Sequence, residues 1–340
     1  MTNVSRARVL PLAVSLALLL VTSPARADGV ECGPQEAQRL EMARLIDSWQ
    51  RVRHDALRLE AAPLPRIFFF DDRCLWEVRD ESAFGSAADG EIPVAGSPAA
   101  FAASAHGGTI ELPDGERIPA RLTIFVSTAG TPPQPYMVMP VQSIWRAESR
   151  HAAEAGLDSL VRGVFVHEMT HTRQSETYGR SIGRLVEAHG LGEELDDDIV
   201  QTKFESNPDF REMWERERDL LFLAAEEPDP ARSASLAREA IEVRAIRHEQ
   251  FFSGDREFYR ELETIFLDME GVANWAAYQL LRLEGVGRSE AVERMRRGRA
   301  RWSQDEGLGL YLALDALVPG WQTEVFRDAP RSAWDLLAGK

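Results

Sequence analysis

The pentapeptide His167-Glu168-Met169-Thr170-His171 is the feature that most constrains what this chain can fold into. On an α-helix, residues four apart lie on the same face, so the two imidazoles can point at one metal ion. The residues before the motif have the apolar spacing of a helix that buries one side, namely Leu160, Val161, Val164 and Phe165. The pattern therefore predicts a partly buried helix that carries two metal ligands.

Glu168 gives the predicted metal site a catalytic character. It is rotated by about 100° from His167 on a 3.6-residue helix, so it overhangs an open metal position and is not a natural co-ligand. A bound zinc ion lowers the pKa of a water ligand to about 7 and polarises a carbonyl oxygen. We therefore expect Glu168 to act as the general base. The alternatives are a structural or vestigial metal site, or a surface helix with two incidental histidines.

A third metal ligand is needed, because a catalytic zinc usually takes three protein ligands and leaves one position for water. The metzincin pattern is excluded, since Gln174 and Thr177 stand where it requires glycine and histidine. The local candidates are Glu187, His189, Glu193 and Glu194. Farther along, Glu270 is the one glutamate within the largely apolar segment 266–278. Burial of a carboxylate costs several kcal/mol unless it meets a cation or a metal, so Glu270 is the predicted ligand. The alternative is a salt bridge to an arginine.

The segment around Glu270 resembles the Glu-Gly-x-Ala-x-aromatic helix of the glutamate-zincins, the gluzincin group of metallopeptidases. Together with the His-Glu-x-x-His helix, the resemblance covers these two helices, about forty residues. It implies a zincin-like fold in which His167, His171 and Glu270 bind one zinc ion and Glu168 is the base. Asn274 stands one turn after Glu270, where related enzymes often place an aspartate that orients a ligand histidine. An amide accepts that hydrogen bond less strongly.

Hydrolysis also needs a donor that stabilises charge on the attacked carbonyl. The candidates are His248, Tyr259 and Tyr278, which lie on helices expected to surround the site. For each of them the alternative is an ordinary buried core residue.

The first 27 residues have the pattern of a cleaved signal peptide. Arg6 and Arg8 precede an apolar run over residues 9–21, and Ala25-Arg26-Ala27 suits a signal peptidase. The run is shorter than the roughly 20 residues that a membrane helix needs. We therefore expect a mature chain that begins near Asp28, exported to the periplasm or the extracellular space without a stable membrane anchor.

The cysteines and the net charge indicate which compartment and which partners to expect. Cys32 and Cys74 are the two cysteines, and an oxidising compartment favours a disulfide between them. The formal net charge is −16, and loss of the signal peptide would make the chain more acidic still. Such a surface repels phosphate backbones, so nucleic acid is not an expected partner.

The predicted architecture is a single α/β (α+β), zincin-like domain over residues 28–340. Residues 28–150 form the strand-containing part and 151–340 the helical part with the metal site. The strand expected over Tyr136–Trp145 precedes the metal helix, where an edge strand would bind a peptide or protein substrate by strand addition. That strand favours a peptidase. The alternatives are an amidase or esterase with the same metal site, or a secreted zinc-binding module without catalysis.

The acidic run over residues 193–198 has two interpretations. It could bind calcium, but it lacks the glycine-punctuated spacing of a calcium loop. The favoured interpretation is a solvated loop that caps a helix beginning at Ile199.

Overall fold

A computed structural model describes residues 32–84, 87–96, 99–149, 156–192, 195–296 and 301–339. The predicted signal peptide, residues 1–27, lies outside these ranges. Two compact units are present. Within the described residues, the first comprises 32–51 and Ala61–Thr172, and the second comprises Val52–Glu60 and the chain from Arg173 onward. The chain is mixed α/β, with a six-stranded mixed sheet and a helical C-terminal part, which confirms the predicted fold class at that level.

The N-terminal part alternates strands with few helices. Its elements are α1 (Glu36–Asp55), β1 (Arg66–Phe70), β2 (Cys74–Asp80), β3 (Gly90–Ile92), β4 (Ala99–Ala105), β5 (Thr109–Glu111), β6 (Arg117–Pro119), β7 (Phe125–Ala129), β8 (Gln134–Pro140) and α2 (Gln142–Glu148). The large sheet has the order β3-β4-β2-β1-β8-β7. Strands β1 and β8 run parallel, and the other neighbours are antiparallel. Strands β5 and β6 form a separate hairpin.

Strand β1 is apolar on both faces, and this places it at the centre of the first unit. Successive side chains of a strand point to opposite faces. Phe68 and Phe70 belong to the apolar cluster that includes Ile110 and Ile118 of the small hairpin. Phe69 points the other way and stacks on Phe165, with ring centroids 5.9 Å apart.

The strand predicted over Tyr136–Trp145 is wrong in two respects. It ends at Pro140, and the chain from Gln142 to Glu148 is helical, with Ile144 and Trp145 buried. Proline has no N–H to continue a strand ladder, and the apolar pair that suggested a longer strand instead packs one side of α2. The strand is also interior to the sheet, because β1 and β7 pair with its two sides. The expected edge strand for substrate is therefore not β8.

The rest of the chain is helical. Its elements are α3 (Leu157–Gln174), α4 (Tyr178–His189), α5 (Ile199–Phe204), α6 (Pro208–Glu226), α7 (Pro230–Phe251), α8 (Phe258–Leu283), α9 (Arg288–Met295), α10 (Trp302–Leu317), α11 (Gln322–Val325) and α12 (Ala333–Ala338). Helix α7 has a defined start, since Asp229 accepts a hydrogen bond from Ala231 N at 2.9 Å and Pro230 occupies the first turn. Among the described residues, none of these helices is both long and apolar enough to cross a membrane.

The predicted disulfide is confirmed. Cys32 and Cys74 are bonded, with their Cα atoms 5.5 Å apart. The indole of Trp76 donates a hydrogen bond to the main-chain oxygen of Cys32. The start of the described chain is therefore tied to β2 both covalently and by a buried hydrogen bond.

Candidate metal centre

Helix α3 presents its two histidines on the side away from the sheet. Phe165 packs on Phe69 and so marks the sheet-facing side of the helix. At about 100° per residue, His167 and His171 lie roughly 200° and 240° around the axis from Phe165. The aromatic pair therefore fixes the direction in which both imidazoles point.

The two imidazoles converge on one point. Their Nε2 atoms are 3.0 Å apart, and the side chains are almost buried, with 9% of His167 and 8% of His171 exposed. Two imidazole nitrogens this close can ligate one cation together, and without a cation one ring can donate a hydrogen bond to the other.

Glu270 completes the group. One potential ligand atom from each of His167, His171 and Glu270 lies within 4.8 Å of the other two. Across the described residues, this is the only set of three or more histidine, cysteine or acidic side chains so arranged. Two imidazoles and a carboxylate fit a divalent transition metal, and they form one of the donor sets of catalytic zinc sites. A buried His167-His171-Glu270 group that can hold a metal ion is therefore present.

Glu168 follows His167 and is 3% exposed. The two threonines nearby bond within the helix: Thr170 Oγ1 donates to Val166 O at 2.8 Å, and Thr172 Oγ1 donates to Met169 O at 2.7 Å. Both hydroxyl groups are therefore satisfied by the main chain of their own helix.

Glu270 is held in a helix that is buried on nearly every side. Its carboxylate is 3% exposed, and α8 carries buried residues from Tyr259 to Leu281. Next to it, a Cβ built on Gly271 would lie 2.7 Å from the main-chain oxygen of Gly307 on α10. The reciprocal Cβ on Gly307 would lie 2.7 Å from the Cα of Gly271. The glycine that follows Glu270 is therefore required for the close approach of α8 and α10.

Helix α10 contacts Glu270 directly. Gln304 Nε2 donates to Glu270 Oε2 at 3.1 Å, and Asn274 Nδ2 donates to the main-chain oxygen of Gln304 at 3.2 Å. Asn274 was predicted to orient a ligand histidine, but the structure directs its amide to the main chain of the residue that contacts Glu270. Gln174, at the end of α3, approaches Met269 O at 3.5 Å.

Arg301 adds positive charge near this carboxylate. It pairs with Asp197 at 3.3 Å and Asp198 at 3.1 Å, and its charge also interacts with that of Glu270. Burial and the neighbouring Glu270 raise the pKa of Asp197 well above its ordinary value. The solvated loop predicted for the acidic run is therefore wrong at Asp197, which is 4% exposed. Residues 193 and 194 lie outside the described ranges.

His248 belongs to a buried ionic cluster. Its Nε2 lies 2.6 Å from Glu263 Oε2, and Arg247, which is fully buried, donates to Glu263 and Glu217. Burial lowers the pKa of His248 in spite of the nearby carboxylate. Burial also opposes the ionised form of Glu263, but Arg247 and His248 bring its pKa below the ordinary value. The imidazole predicted as an oxyanion donor thus has a carboxylate partner.

The two tyrosine candidates are core residues by their contacts. Tyr259 lies 4.2 Å from Phe258 and 5.5 Å from Phe204, centroid to centroid, within the main apolar cluster of the second unit. Tyr278 is 4% exposed, burial raises the pKa of its hydroxyl, and the neighbouring Arg282 opposes that change.

The local alternatives for the third ligand lie elsewhere on α4. Glu187 and His189 are exposed, and the ring of His189 stacks on Phe258 at 4.3 Å. The other two alternatives, Glu193 and Glu194, fall outside the described residues.

The sequence reasoning missed Gln304 and Gly307. Neither belongs to a recognisable sequence pattern, and both lie on α10, which begins at Trp302. The available signal was Gly271, a glycine inside a strongly apolar helix, which indicates a close backbone approach.

Comparison of this chain with protein-family models, with curated proteins and with solved structures gives no match.

Proposed function

We propose that this protein is an exported zinc-dependent hydrolase that cleaves amide bonds, with peptides as its substrates. The observation that carries the proposal is the grouping of His167, His171 and Glu270, with Glu168 buried and next to His167 in the sequence. The proposed fold is zincin-like. The predicted signal peptide and the Cys32–Cys74 disulfide support export.

Each residue of the motif has a distinct part in the proposed reaction. His167, His171 and Glu270 would hold the metal, and zinc supplies a Lewis acid that polarises the carbonyl and acidifies water. Glu168 accepts the proton of the attacking water and passes it to the departing amine, as a general base and then a general acid. Its burial keeps that proton transfer away from bulk solvent.

Glu168 also favours hydrolysis over redox chemistry. Two histidines and one carboxylate occur in mononuclear iron sites as well as in zinc sites. A buried carboxylate adjacent to the first ligand supplies the base that hydrolysis needs. Elemental analysis of the purified protein distinguishes the two metals.

The choice of peptide as substrate rests on the resemblance to glutamate-zincins. The interior position of β8 removes the strand that was expected to bind substrate. Among the described strands, β3 and β7 form the edges of the sheet, and β7 is the longer at five residues. Because β8 is not free to bind a peptide by strand addition, a second candidate function is favoured. It is the hydrolysis of small amides or esters at the same three proposed metal ligands.

The test combines metal content with turnover. The mature protein is assayed against a peptide library and against small amide and ester substrates, with and without a chelator. Glu168→Gln should keep the metal and lose about 10²- to 10⁴-fold in rate, whereas His171→Ala should lose the metal. Glu187→Gln, on the exposed side of α4, is the matched control and should change neither.

The outcomes separate the candidates. Cleavage of peptides that a chelator abolishes supports the proposal, and cleavage confined to small amides or esters favours the second candidate. Bound metal without any turnover indicates the non-catalytic zinc-binding module. A fully active Glu168→Gln protein would contradict the mechanism.

A further inference from the structure

We propose that Gln304 is a positioning residue that holds the carboxylate of Glu270 in place for the metal. This inference rests on the proposed function, because it assigns a role to a residue that contacts one of the three proposed ligands. It concerns a helix, α10, to which the sequence motifs assign no part in the site.

Gln304 and Glu270 form a direct hydrogen bond, and its donor and acceptor can be assigned. Gln304 Nε2 is 3.1 Å from Glu270 Oε2. An ionised carboxylate only accepts hydrogen bonds, so the glutamine must present its NH₂ group to Glu270 and not its oxygen. One carboxylate oxygen then has a fixed donor, and the orientation of the other oxygen follows from it.

The helix packing makes this contact possible. Gly271 and Gly307 bring the two backbones so close that a Cβ on either residue would lie within 2.8 Å of main-chain atoms of the other helix. Gln304 lies three residues before Gly307, on the same face of α10. Its side chain therefore reaches Glu270 across the narrowest part of the interface between α8 and α10.

A second hydrogen bond fixes the base of the glutamine. Asn274 Nδ2 donates to the main-chain oxygen of Gln304 at 3.2 Å. Asn274 lies four residues after Glu270 on the same face of α8. The two hydrogen bonds thus run in opposite directions between the helices, and together with the glycine contact they set the register of Gln304 relative to Glu270.

The chemistry of the amide suits a metal ligand. A neutral amide orients the carboxylate without adding to the positive charge that Arg301 already places near it, so the carboxylate keeps its charge for the metal. Removal of such an outer partner typically weakens metal affinity by 10- to 100-fold.

The test measures zinc affinity and the stability of the metal-free protein separately. Zinc dissociation constants come from competition with a chelating indicator for the unmodified mature protein, Gln304→Met and Gln304→Ala. Methionine keeps the length and approximate volume of glutamine without its donor, and alanine removes the side chain. Gln279→Met, at a partly exposed position on α8, is the control.

We expect the zinc dissociation constants of both Gln304 variants to rise by about 10- to 100-fold, with the Tm of the metal-free protein unchanged and the control unaffected. Zinc affinities within twofold of the unmodified protein would overturn the positioning role while leaving the proposed function intact. A fall in the metal-free Tm that parallels the loss of affinity would make Gln304 a structural residue, which also overturns it. Failure of the unmodified protein to bind zinc would contradict the proposed function itself.

Discussion

Replacement of Gly271 by alanine tests the packing that places Glu270. The added methyl group would lie 2.6 Å from Tyr311 Cδ2 and 2.7 Å from Gly307 O. Ordinary contacts between heavy atoms lie near 3.5–4.0 Å, so α8 and α10 would have to separate by about 1 Å. The second obstacle is main chain, so side-chain rotation alone cannot relieve it.

The expected magnitude follows from two opposing effects. Overpacking of a close contact costs about 1–3 kcal/mol, and alanine gains about 1 kcal/mol over glycine in a helix interior. We expect Gly271→Ala to lower the free energy of unfolding by up to about 2 kcal/mol, measured on metal-free protein by urea unfolding at constant m. A 1 Å separation would also carry Gln304 beyond hydrogen-bonding distance from Glu270, and zinc affinity should fall about tenfold.

Gly183→Ala is the matched control for this prediction. Gly183 lies in α4, within the same unit, and a Cβ there meets no atom within 4 Å. This change should raise the free energy of unfolding by about 0.5–1 kcal/mol through helix propensity alone. The reasoning is refuted if Gly271→Ala raises the free energy of unfolding as much as Gly183→Ala does, because the two glycines would then respond to a methyl group in the same way.

Three further predictions concern other parts of the molecule. Addition of a chelator should lower the Tm of the unmodified protein but leave that of His171→Ala unchanged, because only the former has a metal to lose; equal shifts would contradict metal binding by this group. Joint replacement of Cys32 and Cys74 by serine should lower the free energy of unfolding by about 2–4 kcal/mol, and an unchanged urea midpoint would show that the disulfide does not stabilise the fold. Burial raises the pKa of Glu41 from 4.5 to about 7, so the folded protein binds this proton more tightly, and the stability that the group contributes falls as pH rises between these values. Glu41→Gln keeps an acceptor for the main-chain N–H of Gln142 and cannot ionise. The variant should therefore be more stable than the unmodified protein at pH 8, and its stability should depend less on pH over this range. An unaltered pH profile of stability would show that Glu41 does not cause the pH dependence.

The parts of the site that sequence predicted are those set by short-range periodicity. His167 and His171 converge because they are four residues apart on one helix, whatever the helix packs against. Glu270 was predicted as a ligand because burial of a carboxylate in an apolar helix costs free energy unless the carboxylate has a partner. Each of these inferences needed only the neighbours in sequence.

The parts that sequence did not predict depend on pairing between distant segments. Whether β8 is an edge or an interior strand is decided by β1 and β7, and the apolar pattern of a strand does not name its partners. Gln304 has no pattern of its own and becomes significant only when α10 lies against α8. Asn274 was given a histidine as its partner by resemblance, while the structure directs its amide to Gln304.

Helix α8 shows why burial alone could not decide the role of Glu270. Two turns earlier on the same helix, Glu263 is equally buried, and there the arginine salt bridge considered for Glu270 is realised, with Arg247 at 2.6 Å and His248 at 2.6 Å. Both glutamates require compensation for the loss of water. What differs is the facing element: α7 supplies Arg247 and His248 to Glu263, whereas α10 supplies the amide of Gln304 to Glu270, whose charge also interacts with that of Arg301. Glu270 also has a potential ligand atom within 4.8 Å of one on each of His167 and His171, a grouping that Glu263 lacks within the described residues. For this reason the metal-ligand role is proposed for Glu270 and not for Glu263.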